Sequence, residues 1–152
     1  NFMISKKEEI YVFTDGGARG NPGPAAIGVV ILDKNKNIIK EFGEYLGEKT
    51  NNFAEYSALV IALKKVKQIL GKNKIFQTKI NIFMDSELVV RQLLGQYKIQ
   101  EPELQKLFIE VWNLKTDFGE IAFNHIAREK NKRADELVNE ALDENMRKQS
   151  LF

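Results

Sequence analysis

Three strand-like runs come before any stretch at helical spacing, and that order narrows the fold most. Ile10–Thr14 is rich in β-branched and aromatic residues, Ala26–Leu32 is a second such run, and Ile38–Leu46 is a third. The polar turn Asp33–Asn37 joins the last two. Beyond them helices and strands alternate. Asn51 or Asn52 is placed to cap a helix to about Leu70, with Leu59, Ala62, Val66 and Ile69 at helical spacing and Gly71 as its stop. Lys79–Met84 reads as a fourth strand. Ser86 then caps a short helix to about Leu94, and Gly95 ends it. Pro102 opens a helix to about Thr116, Glu120–Ile126 is a fifth strand, and Lys130–Met146 is a closing helix. The order β-β-β-α-β-α-α-β-α predicts an α/β fold with a five-stranded mixed sheet, three antiparallel strands then two parallel, flanked by helices. In such sheets, sites gather at the carboxyl ends of the parallel strands.

The totals exclude several chemistries. At 152 residues the chain is expected to be one domain over 1–152. It has no cysteine, so disulfides and thiolate metal sites are out, and its single His125 excludes a histidine-rich zinc site. No apolar run approaches the roughly 20 residues that span a bilayer, and no signal-peptide pattern opens the chain, so no membrane role and a cytoplasmic address are expected. A net charge of +2 is too mild to decide for or against nucleic acid. Without an exposed heptad or apolar seam, a monomer with no obligate protein partner is the expectation. Asn1 and Phe2 precede Met3, as residues added before a natural start or as the cut edge of a longer protein would.

Four acids stand at the ends of these elements: Asp15, Glu55, Asp85 and Asp135. Asp15 and Asp85 directly follow the predicted strands one and four. Those ends lie about 5 Å apart if the strands are neighbours. Glu55 is in line with Leu59 on its helix, and Asp135 with Val138 and Leu142, so both lean toward a buried face. Each acid also has an ordinary job open to it, in a turn, as a helix cap or at a helix N-terminus. Four converging together are less easily explained, because like charges repel and burial disfavours the charged form. Either some are protonated or cations neutralise them. Mg²⁺ takes oxygen ligands of this kind beside substrate phosphates, and a pair of ions about 4 Å apart suits hydrolysis of a phosphodiester.

At these residues the chain resembles ribonuclease H of type 1, over nearly its full length. TDGGARGNPGPAAIG is similar to that family's first-strand motif, TNNFAEYSAL to its TNN-x-AE helix start, MDSELVVRQL to its DS motif and NKRADELVNEA to its final N-x-x-AD helix. The resemblance implies the ribonuclease H-like fold, and Asp15, Glu55, Asp85 and Asp135 as a metal-binding catalytic set for two Mg²⁺ ions, with Mn²⁺ as a substitute. It implies cleavage of the RNA strand of an RNA/DNA hybrid, giving 5′-phosphate and 3′-hydroxyl ends. Gly16, Gly17, Arg19, Gly20 and Asn21 then fall on the side that meets ribose 2′-hydroxyls, the groups that mark RNA. Thr50, Asn51 and Asn52 fall where the family holds the DNA phosphate and bases, and Ser86 beside the substrate. Alternatives are the ribonuclease H part of a larger reverse transcriptase-like protein, a non-catalytic hybrid-binding module, and a relative that cuts DNA. The GGARGNPG and TNN strings argue against the last.

The chain departs from better-known members in three places. Many carry a histidine in the loop before the last helix. Here Ile121, Phe123 and His125 alternate along a strand, and Arg128 is expected to occupy the loop position, as in a short-looped subgroup. A guanidinium is too basic to act as a general base, so Arg128 would steady the scissile phosphate, assist proton transfer indirectly or aid product release. Between Leu94 and Glu103 the short GQYKIQEP stands where some relatives insert a basic protrusion. Glu48 and Phe53 stand where relatives often have arginines, with Lys49 placed to compensate. Phe108, Trp112 and Phe118 are expected to pack in the core rather than form a stacking platform.

Overall fold

The computed structural model describes residues 8–151; Asn1 and Phe2 lie outside the described residues. Five strands form one sheet, β1 (Glu8–Ala18), β2 (Gly23–Leu32), β3 (Ile38–Lys49), β4 (Thr78–Met84) and β5 (Glu120–His125), in the order β3-β2-β1-β4-β5. The pairs β1/β2 and β2/β3 are antiparallel, while β1/β4 and β4/β5 are parallel. Helices α1 (Asn51–Phe76), α2 (Glu87–Leu93), α3 (Pro102–Lys115) and α4 (Lys132–Ser150) complete the fold, with a 3₁₀ turn at Arg128–Lys130. No helix among the described residues is long and apolar enough to cross a membrane.

The strand period of two sorts the core onto two faces. Ile27, Val29 and Ile31 of β2 join Ile10 and Val12 of β1 against Tyr56, Leu59 and Leu63 of α1, with Leu104 and Val111 of α3 in the same apolar cluster. The alternate residues point the other way. Ala26 meets Val138 and Leu142 of α4, and Val30 meets Ala134 and Leu137. That face is flat where α4 crosses because Gly28 and Gly43 are paired across β2 and β3. A Cβ on Gly28 would lie 2.2 Å from the carbonyl oxygen of Ala134, and one on Gly43 2.5 Å from that of Leu137. Beyond α4, Tyr11, Phe13 and Phe83 stack along the same face, with ring centroids 6.1 Å and 4.9 Å apart.

Several boundaries differ from the sequence expectation, each for a physical reason. β1 runs past Thr14 to Ala18, because the antiparallel ladder with β2 continues through Ala18↔Ala25 after the parallel ladder with β4 ends at Thr14↔Met84. α1 is capped by Thr50, whose Oγ1 accepts from the amide of Phe53 at 3.2 Å, rather than by Asn51 or Asn52. Gly71 breaks the helical backbone at φ 79° but does not end α1, which resumes and buries Ile75. Ile69, expected in the core, is 39% exposed. α4 starts at Lys132 rather than Lys130, since the 3₁₀ turn takes up the residues before it, and it continues past Met146 to Ser150. Phe118 is buried as expected, whereas Trp112 is 54% exposed, stacked on Phe108 at 5.8 Å with Lys115 over its ring.

Replacing Gly28 with alanine should force α4 off the sheet and cost about 1–3 kcal/mol. Urea unfolding measures this; a change under about 0.5 kcal/mol would show that the helix seat does not depend on the missing side chain.

Candidate active site

The cleft opens where the parallel ladder between β1 and β4 ends. Asp85 follows Met84 at the end of β4, while Asp15 lies inside β1, opposite Gly28, one residue past the last parallel pair. Glu55 enters from α1. It can do so because Gly16 has no side chain, as a Cβ there would sit 2.3 Å from the carbonyl of Ala54. One carboxylate oxygen from each of Asp15, Glu55 and Asp85 falls within 4.8 Å of the others. Asp135 lines the same cleft from the first turn of α4 but is not part of that tight group. The cleft holds about 370 Å³ and is also lined by Gly16, Gly17, Arg19, Asn51, Asn52, Ser86 and Arg128.

The ordinary jobs open to these acids are largely taken by others. Ser86, not Asp85, caps α2, accepting from the amide of Val89 at 3.3 Å. Glu55 lies beyond the first turn of α1. Asp15 is in a strand rather than a turn. Asp135 alone is a first-turn acid, where the helix dipole favours it.

Burial, with crowding behind it, raises two of the carboxyls. Burial pushes Asp15 up to about 7, helped by the charge of Asp85 and opposed by a hydrogen bond with Glu55. Burial and the charge of Asp15 push Glu55 well above the usual carboxylate range. Glu55 Oε2 is buried with no hydrogen-bond partner among the described residues. An oxygen-only cluster with an orphaned buried oxygen fits a hard divalent cation, which would relieve both the repulsion and the unmet acceptor.

Sequence reasoning missed Asn131, which reads as a helix cap but makes no side-chain cap bond. Its buried Nδ2 donates to the carbonyl of Thr14 at 2.9 Å and to Asp85 Oδ2 at 3.1 Å. One amide thereby ties the ends of β1 and β4 to the start of α4, the three elements that carry the aspartates. Only its place in the N-x-x-AD string marked it.

The flanking residues divide into committed and open groups. Asn51 Oδ1 accepts from the amide of Ala18 at 2.8 Å, and Asn21 Oδ1 accepts from the amide of Asn51 at 3.0 Å, stitching the glycine-rich turn to α1. Arg128 is exposed and lines the cleft; His125, the last residue of β5, does not. A neighbouring cleft is lined by Asn21, Thr50 and Asn52 together with Glu101, Pro102, Glu103 and Leu104. Lys49 lies 4.7 Å over the ring of Phe53. The short connection between α2 and α3 is pinned by Gln92, which accepts from the Tyr56 hydroxyl at 2.7 Å and donates to the carbonyl of Lys98 at 3.0 Å.

Comparison with known proteins agrees with this geometry. A family model described as reverse transcriptase-like matches residues 13–141. A protein of Halobacterium salinarum named ribonuclease HI is 38% identical over 89% of this chain and 65% of its own length. A protein of Mycobacterium tuberculosis named as bifunctional is 35% identical over 89% of this chain and 36% of its own length. The chain therefore spans less than two thirds of these curated relatives. Among solved structures, LC11-RNase H1, isolated from compost by a metagenomic approach, has a TM-score of 0.86 at 49% identity, over 91% of this chain and 98% of that one. The same protein in complex with an RNA/DNA hybrid gives 0.85 at 49% identity, over 90% and 99%.

The raised carboxyls fix the sign of a pH effect. The folded metal-free protein holds protons that the unfolded chain releases between the ordinary carboxylate value, 3.8, and about 7. Stability of the metal-free protein should therefore fall as pH rises through that window and be lowest above it. Thermal melts in chelator at about pH 5 and pH 8 check the sign. Equal or higher stability at the upper pH would mean that the acids are not crowded.

Proposed function

The chain belongs to the ribonuclease H type 1 family, and from that premise we propose that it is an endoribonuclease hydrolysing the RNA strand of RNA/DNA hybrids. The observation that carries this reading is the approach of Asp15, Glu55 and Asp85 to within 4.8 Å, in a cleft walled by Gly16 and Gly17 at the end of β1. The solved hybrid complex of a 49% identical relative supports the substrate class.

Asp15, Glu55, Asp85 and Asp135 are the residues proposed to hold two Mg²⁺ ions, which Mn²⁺ would replace. Bound there, the metal supplies positive charge for the phosphate and lowers the pKa of water. The chain's own groups do the rest. Gly16 and Gly17 present backbone to the cleft, and Gly17 has no side chain to obstruct the RNA, while the missing side chain of Gly16 seats α1. Arg19, Gly20, Asn21, Thr50, Asn51, Asn52 and Ser86 line the path of the two strands and orient them. Asn131 holds the Asp85 carboxylate in place. Water adds to phosphorus as the bond to the 3′-oxygen breaks, leaving 5′-phosphate and 3′-hydroxyl ends. Arg128 steadies the scissile phosphate. The neighbouring cleft pairs Asn21 and Thr50 with Glu101 and Glu103, so the DNA strand is gripped weakly. One ribonuclease H-like domain, monomeric and cytoplasmic, completes the reading.

Asp15→Asn should abolish cutting of a hybrid at saturating Mg²⁺ while leaving the circular dichroism spectrum unchanged. A wild-type chain that leaves hybrid intact in both Mg²⁺ and Mn²⁺ would refute the activity and favour a non-catalytic binding module. Arg128→Ala should slow turnover more than His125→Ala, because only Arg128 lines the cleft. Steady-state kinetics decide, and the reverse order would assign the loop role to the histidine.

A further inference from the structure

Two arginines face the acidic cleft, and they are held differently. Arg128 has no ion pair among the described residues. Arg19 is covered from α4: its Nη2 lies 2.7 Å from Asp143 Oδ1 and donates to Asn139 Oδ1 at 3.2 Å, and its Nη1 contacts Met146 Sδ at 3.1 Å. The Arg19 backbone is fixed by its amide bond to the Pro24 carbonyl at 2.8 Å, so only the side chain is free to swing. Asn139 in turn donates to the carbonyl of Asp135 at 3.0 Å, so the covering group sits directly behind the α4 acid of the cleft.

We propose that Asp143 is an internal counter-ion that occupies Arg19 until a phosphate of the bound nucleic acid displaces it, so that Asp143 sets hybrid affinity and its salt dependence. The inference rests on the hybrid-cleaving reading and adds a residue that never touches the reacting atoms. Exchange is easy on energetic grounds. The side chains of Arg19 and Asp143 are 37% and 60% exposed, and an exposed pair of this kind is held by only about 0.2–1 kcal/mol. The thioether is a weak acceptor. A phosphate offers two oxygens to the guanidinium fork in place of one carboxylate oxygen. The acidic cleft repels a polyanion, and a cation kept paired beside it adds attraction only when the substrate is in place.

The salt signature separates this exchange from a plain surface bridge. A phosphate that binds a free guanidinium releases a counterion. One that displaces Asp143 leaves a carboxylate that takes up a cation again, which cancels the release. Asp143→Asn should therefore lower KM for a hybrid roughly two- to fivefold at low salt, the factor that matches the pair's strength. It should also steepen the slope of log(1/KM) against log salt by up to about 0.9, and leave kcat within about twofold. Asp143→Ala should behave alike. Arg19→Ala should raise KM, and in that background the Asp143→Asn gain should vanish.

The test is steady-state hybrid cleavage by the wild type, the three single variants and the double variant between about 50 and 200 mM salt, with thermal melts to verify folding. An unchanged KM and slope in Asp143→Asn, or the same gain with Arg19 removed, overturns the counter-ion role. A wild-type chain that cleaves no hybrid removes the activity reading instead, so the two failures are told apart.

Discussion

Carboxylates that repel one another are held together at the carboxyl ends of β1 and β4, and the rest of the architecture makes that tolerable. The parallel register of β1 and β4 brings Asp15 and Asp85 side by side. The missing side chain of Gly16 lets the backbone of α1 approach and deliver Glu55. Asn131 then locks Asp85 to the carbonyl of Thr14 from below α4. Of these contacts only the Asn131 amide offsets any of the negative charge, by donating to Asp85. The contacts are strong enough in sum to hold three acids within 4.8 Å, where burial keeps Asp15 protonated to about pH 7 when no cation is bound. A hard divalent cation bound there would relieve that cost.

The two faces of the sheet divide the labour. On one, α1 and α3 bury the large apolar side chains and supply rigidity. On the other, α4 lies on a glycine-flattened patch and brings Asp135, Asn131, Asn139 and Asp143 to the cleft edge. The helix that carries an acid of the site thus also carries the group covering Arg19. The proposed hold on substrate and the acid Asp135 thus sit on neighbouring turns of one helix, and a shift of α4 would disturb both.

How much of this was legible depends on whether the determinant is local. Element order, sheet class and the four acids follow from periodicity and from motifs a few residues long. The glycine-rich run that begins at Gly16 could be read as a close-approach surface, but not that Gly16 faces Ala54, since that contact joins residues 38 positions apart. Boundaries slipped where tertiary pairing overrode a local stop. β1 outlived Thr14 because β2 was still beside it, and α1 outlived Gly71 because Ile75 had a core to enter. Trp112 sits at core-like spacing yet lies open, because α3 packs chiefly on α1 and leaves that side of the helix uncovered.

By itself the sequence determined which acids stand at the ends of elements and in what order strands and helices must come, because both are written in local patterns of residue type and spacing. The fold alone decided that three of the acids share a tight cluster while Asp135 stands slightly apart, that Asn131 braces Asp85 rather than capping its helix, and that Asp143 covers Arg19. Each of these is a distance between elements far apart along the chain, and such distances are set by how the helices seat on the sheet.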